Sequence, residues 1–318
     1  MKKIYTLFLT LLTVFYTSCN NSITVSIEEA PDVIKKIKGE KTIIITGELN
    51  DKNFYFLANS LRSENIRVNL ALSKATNAGD ISFPDLSYCI SLKKITLPQY
   101  LWIENDIFKE CKFLEEVIIP DGITEIERFA FENCTSLKKV SIPPSIDEIG
   151  AMAFAGCTSL EEITIPHGVL GIANNAFNGC TSLKRISLPE SLVTLDENAF
   201  CDCKSLVELK LPYSIDFFSV SICSGCDSLQ SLVLPNWVSG GFCCLFGFAG
   251  KTLVDIIVYD KYVSSEQLSC VCEYFTDFKL YEVSGRENKK YFIELIRSYL
   301  RDSPSNISEL YAKAILGD

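Results

Sequence analysis

Between Leu160 and Pro166 the chain alternates apolar and polar residues: Leu160, Ile163 and Ile165 against Glu162 and Thr164. A period of two marks a strand with one buried face. Pro166 ends it, because proline has no N–H to offer a neighbouring strand. The pattern recurs through the middle of the chain. Cys89, Cys111, Cys134, Cys157, Cys180, Cys203 and Cys226 are separated by 22 residues once and by 23 five times. Leucine follows three residues after each, from Leu92 to Leu229, and proline closes each block, from Pro98 to Pro235. Phe108, Phe131, Phe154, Phe177 and Phe200 stand three before their cysteines. Four columns in register make an internal repeat. About ten residues then carry the chain around, with Ile126, Ile149, Ile172 and Leu195 pointing back inside. Successive strands must lie parallel. Stacked units give an α/β fold, a right-handed solenoid with a parallel sheet on one face.

The flanks lack the repeat. Lys41 to Gly47 reads as a strand, Asp51 to Ser63 as a helix with Phe54, Leu57, Ala58 and Leu61 on one side, and Ile66 to Leu72 as a strand. This unit is expected to cap the N-terminal end. Leu253 to Tyr259 reads as a further strand, residues 260–283 as a short αβ closure, and Asn288 to Arg301 and Ile307 to Leu316 as capping helices. The expected organisation is a leader at 1–18, a tether and N-terminal cap at 19–80, repeats at 81–258 and a helical C-terminal cap at 259–318.

Met1-Lys2-Lys3 and the apolar run Ile4 to Tyr16 form an export signal, too short to span a bilayer as a stable helix. Thr17-Ser18-Cys19 after it resembles a lipobox, in which Cys19 carries lipid; Tyr16 departs from the usual leucine. Ordinary secretion is the alternative.

The 318 residues include 30 basic and 40 acidic side chains, one histidine and 14 cysteines. The acidity argues against nucleic acid as a partner. One histidine removes most histidine-based catalysis and zinc chemistry. The outward positions Lys93, Glu115, Lys138, Glu161, Lys184 and Lys94, Glu116, Lys139, Glu162, Arg185, Glu208 alternate in sign. With strands about 4.8 Å apart, opposite charges should stack. The acidic excess is then expected on edges and caps. The register cysteines read as small buried hydrophobes; bridges between adjacent ones are the alternative, disfavoured by parallel Cβ vectors. Cys223-Ser-Gly-Cys226 matches a redox or metal pattern, yet Cys223 occupies the phenylalanine column and Cys226 the cysteine column. His167 reads as a loop residue. No nucleophile elbow, Walker loop or GxGxxG is present. No cofactor and no metal site is expected.

Ala-Phe-x-x-Cys-x-Ser-Leu-x-x-Ile-x-Ile-Pro resembles the BspA-like leucine-rich repeat of bacterial surface lipoproteins, over about 175 residues. The resemblance implies an exported, often lipid-anchored protein that adheres to host matrix proteins or other cells. On that footing the expected function is protein or cell-surface binding by a monomer at the outer membrane or cell surface. The alternative is a periplasmic or envelope scaffold that docks through its C-terminal helices; an exported enzyme is the third reading, which the motif inventory disfavours. Tyr100, Trp102, Tyr213 and Trp237, in variable turns after strand prolines, are the candidate contact residues. Phe131, Cys134, Phe154, Cys157, Phe177, Cys180, Phe200 and Cys203 are the structural columns.

Overall fold

The computed structural model describes residues 22–63, 66–77, 85–99, 103–215, 217–218, 221–234, 254–258 and 278–282. The chain divides into two compact units, Met1–Leu160 and Glu161–Asp318.

The first unit opens with β1 (Ser22–Ser26), α1 (Ala30–Lys36), β2 (Lys41–Leu49), α2 (Asp51–Ser63) and β3 (Val68–Asn77). The strand–helix–strand expected at 41–72 is present. β1 and α1 extend it and were not legible, since β1 is five residues long and α1 seven. β2 carries Thr-Ile-Ile-Ile-Thr, β-branched throughout, and buries Ile43 and Ile45. α2 starts with a reciprocal cap. The Asn53 N–H donates to Asn50 Oδ1 at 3.0 Å and the Asn50 N–H to Asn53 Oδ1 at 2.9 Å, satisfying two otherwise orphaned amides. Phe54, Leu57, Ala58 and Leu61 are buried, as their spacing predicts. Arg62, in the last turn of α2, donates through Nε to the Ser87 carbonyl at 2.8 Å and pairs with Asp85 at 2.9 Å, tying the helix to the first repeat.

The repeats continue with β4 (Leu92–Thr96), β5 (Glu116–Ile118), β6 (Glu125–Ile126), β7 (Lys139–Ser141) and β8 (Glu148–Ile149). One parallel sheet runs β1-β2-β3-β4-β5-β7. On the return side β6 pairs with β8, also parallel, and Ile103 bridges to Ile126. This second ladder was not expected, because a two-residue strand leaves no periodic signal. The turns supply a further ladder between coils. The N–H groups of Asp106, Phe108 and Glu110 donate to the carbonyls of Arg128, Ala130 and Glu132 at 3.0, 2.8 and 2.8 Å. The sheet side, the return side and these turns thus each bond backbone to backbone with the next coil.

The second unit holds β9 (Glu162–Thr164), β10 (Gly171–Ile172), β11 (Arg185–Ser187), β12 (Thr194–Leu195), β13 (Glu208–Lys210), β14 (Phe217–Phe218), β15 (Ser231–Leu234), β16 (Val254–Val258) and β17 (Phe278–Glu282). β9 pairs with β11, β13-β15-β16-β17 form a parallel sheet, and β10-β12-β14 line the return side. Each unit is a parallel β-solenoid. The expected strand at 253–259 is present as β16, in register with β15. β17 supplies the strand of the expected 260–283 closure. The predicted helices at 288–301 and 307–316 lie outside the described residues.

The four columns fill the core. Phe108, Phe131, Phe154, Phe177 and Phe200 are fully buried, as are the inward residues Ile126, Ile149, Ile172 and Leu195. Phe108, Phe131 and Phe154 stack at centroid separations of 5.3 and 5.1 Å with planes within 11°. Phe177 and Phe200 stack at 5.7 Å. The cysteine column has a polar role besides packing. Cys134 Sγ lies 3.1 Å from the Phe108 carbonyl oxygen, and Cys157, Cys203 and Cys226 repeat the contact at 3.2 Å to Phe131, Phe177 and Phe200. The thiol gives a second hydrogen bond to a carbonyl of the preceding coil that already accepts a backbone N–H, a bond alanine cannot make.

The residue before each register cysteine has positive φ: Tyr88, Glu110, Asn133, Gly156, Gly179, Asp202 and Gly225. The side chain of one coil covers the next. Asn133 donates through Nδ2 to Glu110 Oε1 at 2.8 Å, and its amide oxygen occupies the space a Cβ on Gly156 would need. Gly156→Ala is therefore expected to destabilise by about 1–3 kcal/mol, combining left-handed strain with a collision against a held amide. Urea unfolding would measure it, and an unchanged midpoint would show that Asn133 swings away freely.

Candidate functional site

Surface chemistry is set by what the buried columns leave outside. On the sheet face of the first unit the expected alternation is realised as ion pairs. Lys94 meets Glu116 at 2.9 Å, and Glu116 meets Lys139 at 3.7 Å. A second row runs Glu40–Lys93 at 2.8 Å, Lys93–Glu115 at 3.8 Å and Glu115–Lys138 at 3.5 Å. The hydrogen bond from Lys94 holds the Glu116 carboxyl below its ordinary range, and Lys93 does the same to Glu40. In the second unit Glu161 and Lys184 lie 2.7 Å apart, while Glu162 and Arg185, both largely exposed, lie 3.9 Å apart. Beyond them the alternation ends: Val207 is exposed, and Glu208 stands in register with Ser231.

Such a face neutralises itself. Its rows set the register of the coils and offer little net field to a charged partner. Glu116→Lys would place three lysines side by side and remove two pairs. The expected loss is about 1 kcal/mol, modest because the pairs are solvated, and it should shrink at high salt. A salt-independent loss would assign the effect to packing.

The return side of the first unit carries acidic charge instead. Glu125 and Glu148 stand in register on β6 and β8, with Glu127 and Asp147 beside them. Burial, then these neighbouring acids, push the Glu125 carboxyl up. The edge thus holds part of the acidic excess, as expected. The expectation for the N-terminal end fails: residues 22–77 carry eight basic and seven acidic side chains.

Of the candidate contact residues, Tyr213 is described and is 45% exposed. Its backbone N–H donates to Glu190 Oε2 at 3.1 Å. His167, Glu190 and Tyr213 occupy the same position, after the strand proline, on successive coils, and all three are exposed. Tyr100, Trp102, Trp237 and Cys19 lie outside the described residues, as do Cys243, Cys244, Cys270 and Cys272.

Sequence reasoning missed other exposed apolar groups. Tyr55 and Phe56 are about half exposed on α2, where they fall off the helix's apolar stripe. Tyr88 and Phe113 are exposed too. Tyr88 stands in the positive-φ column that is otherwise glycine, asparagine or acid, and Phe113 in the serine column; the Arg67 guanidinium lies 3.6 Å from the Phe113 ring centroid. Departure from a repeat column was the available signal.

Cys223 and Cys226 are both buried in the core columns, which favours the packing reading of this motif. Burial pushes both thiols up, Cys226 to about 12, and thiols so held are protonated and unreactive at neutral pH. None of the nine described cysteines forms a disulfide. Among the described residues no group of three or more His, Cys, Asp or Glu side chains is placed to hold a metal ion. No helix among them is long and apolar enough to cross a membrane.

With the geometry established, comparison with known proteins gives the following. Residues 79–170 and 124–240 match the BspA type leucine rich repeat region, in six copies. The combined span is half of the chain. A leucine-rich-repeat protein of T. pallidum is 33% identical over 45% of this chain and 73% of its own, with a TM-score of 0.39. One from Bacteroides ovatus is 20% identical over 76% and 67%, with a TM-score of 0.35. The pneumococcal vaccine antigen PcpA is 17% identical over 81% and 76%, with a TM-score of 0.41. No curated protein matches the chain.

Proposed function

Because the chain belongs to the BspA-type leucine-rich-repeat family, we propose that it is an exported, lipid-anchored repeat protein that binds other proteins at the cell surface and performs no chemistry of its own. Leucine-rich-repeat proteins generally bind other proteins and are typically non-enzymatic scaffolds. The observation that carries the reading is the exposed column His167, Glu190 and Tyr213. The repeat fixes one position in space on successive coils, and the sequence places a different side chain there each time. A rigid frame bearing variable residues suits recognition of a broad protein surface.

In this reading the coil is right-handed. Residues 22–77 close one end of the core and 259–318 the other. Tyr100, Trp102 and Trp237 join Tyr213 as contact residues, and Cys19 bears the lipid. Pull-down against extracellular-matrix proteins should retain a ligand, and Tyr213→Ala should weaken retention by about tenfold, the order expected for an interface aromatic. Equal retention by the variant removes Tyr213 from the interface. Complete protection of the protein from protease added to intact cells would overturn surface exposure and favour the envelope scaffold that docks through residues 288–316. Labelled fatty acid should enter the wild type and not Cys19→Ser.

A further inference from the structure

We propose that the N-terminal end of the fold is a docking surface for anionic lipid headgroups, formed by Lys35, Lys36 and Lys38. The proposal rests on the reading that Cys19 carries lipid.

Topology places these lysines. β1 and β2 are parallel, with Ser22 in register with Thr42. The chain must therefore return along the sheet between them, and α1 makes that return. Its last turn, with Lys35 and Lys36, and the following Lys38 come back to the end where the chain enters β1. Ser22 is three residues from Cys19, at most about 11 Å of extended chain. A lipid on Cys19 thus brings the lysines to the bilayer surface. Proximity is decisive, because attraction to charged lipids fades over a Debye length of about 8 Å.

The three side chains are available. All are exposed. None is in an ion pair among the described residues, whereas Lys93, Lys94, Lys109, Lys138, Lys139 and Lys184 all are. The acid nearest Lys38 in sequence, Glu40, is held by Lys93. Glu28 and Glu29 lie toward the opposite end of the crossover, about a helix length of 10 Å from Lys36; Asp32, one turn before Lys35 and Lys36 on the same helix, offsets part of their charge but forms no ion pair with either among the described residues.

Charge complementarity acts on the whole chain. Residues 22–77 carry eight basic and seven acidic side chains, and residues 78–318 carry 20 and 33. An anionic surface attracts the anchored end and repels the remainder. The lipid holds the protein on the membrane; the lysines turn the N-terminal end of the first unit toward it.

The test uses the full chain purified from a host that processes lipoproteins and reconstituted on vesicles. One set is phosphatidylcholine alone and the other contains phosphatidylglycerol. Amine-reactive labelling of each lysine is then read by mass spectrometry. Lys35, Lys36 and Lys38 should be labelled at least about threefold less on the anionic vesicles, high salt should restore labelling, and Lys204 should not change. Equal labelling on both vesicles overturns the docking surface, whatever the state of Cys19. The mass of the N-terminal peptide reports the anchor separately. If that peptide lacks acyl chains, preferential sedimentation with phosphatidylglycerol vesicles, abolished in a Lys35→Glu, Lys36→Glu, Lys38→Glu variant, upholds docking without the anchor; sedimentation indifferent to lipid charge overturns both.

Discussion

Truncating Phe131 to alanine is expected to destabilise the first unit by about 3–5 kcal/mol, toward the upper figure. Phe131 is fully buried and stacks on Phe108 and on Phe154, so removal takes away the apolar area and two ring contacts, each worth about 0.5–1.5 kcal/mol. Collapse into the void is hindered, because the backbone at this point is fixed by coil-to-coil hydrogen bonds, including Phe131 N–H to the Ala153 carbonyl at 2.7 Å. The chain has two units, so the measurement should be local: hydrogen exchange of amides in 103–160 as a function of urea. Phe56→Ala serves as the control, since that ring is half exposed and its loss should fall within about 0.5 kcal/mol. A Phe131 effect no larger than the Phe56 effect would mean that the column does not hold the coils together.

The second large effect is expected from pH. The thiols of Cys89, Cys134, Cys203, Cys223 and Cys226 all have raised pKa values in the fold. For Cys134, Cys223 and Cys226 burial is the first cause; for Cys89 and Cys203 it is the contact with the neighbouring thiol of Cys111 and Cys180, with burial second. An unfolded thiol loses its proton near pH 8.5. Above that value the unfolded chain binds fewer protons than the folded one, so stability must fall as pH rises. It is complete below about pH 8 and is lost progressively toward the folded pKa, about 12 for Cys226. One unit above the unfolded pKa, a thiol that burial keeps protonated forfeits on the order of 1 kcal/mol. Summed over the buried thiols of either unit, the loss is a sizeable share of ordinary domain stability. Urea midpoints at pH 7.5 and 9.5 would show the drop. Midpoints that do not move would mean that these thiols are not buried and protonated as the fold places them.

How far the molecule could be read beforehand depends on which constraint wrote each residue. Phe131, Cys134, Leu137 and Ile126 were legible as inward because every coil must fill the same space, and the same demand on each unit repeats the residue. The charge rows were legible for the same reason, since strands 23 residues apart in sequence become neighbours. The candidate surface was less so. Tyr213 was singled out for its loop position, and the structure exposes it beside Glu190. Tyr88 and Phe113 went unnoticed, though each interrupts a column. The basic end at Lys35, Lys36 and Lys38 could not be seen, because its meaning comes from the α1 crossover that returns it to the chain's point of entry.

The sequence by itself determined the repeat, its period, the parallel stacking of strands and the identity of the buried columns. Periodicity is a linear property, and a periodic demand for burial leaves a periodic text. Only the tertiary structure decided three things. It showed that the register cysteines bond to the carbonyl of the preceding phenylalanine, that the return side forms its own short ladder, and that Gly156 makes room for Asn133. Each depends on distances between coils, where one backbone meets another, and no single stretch of chain records that meeting.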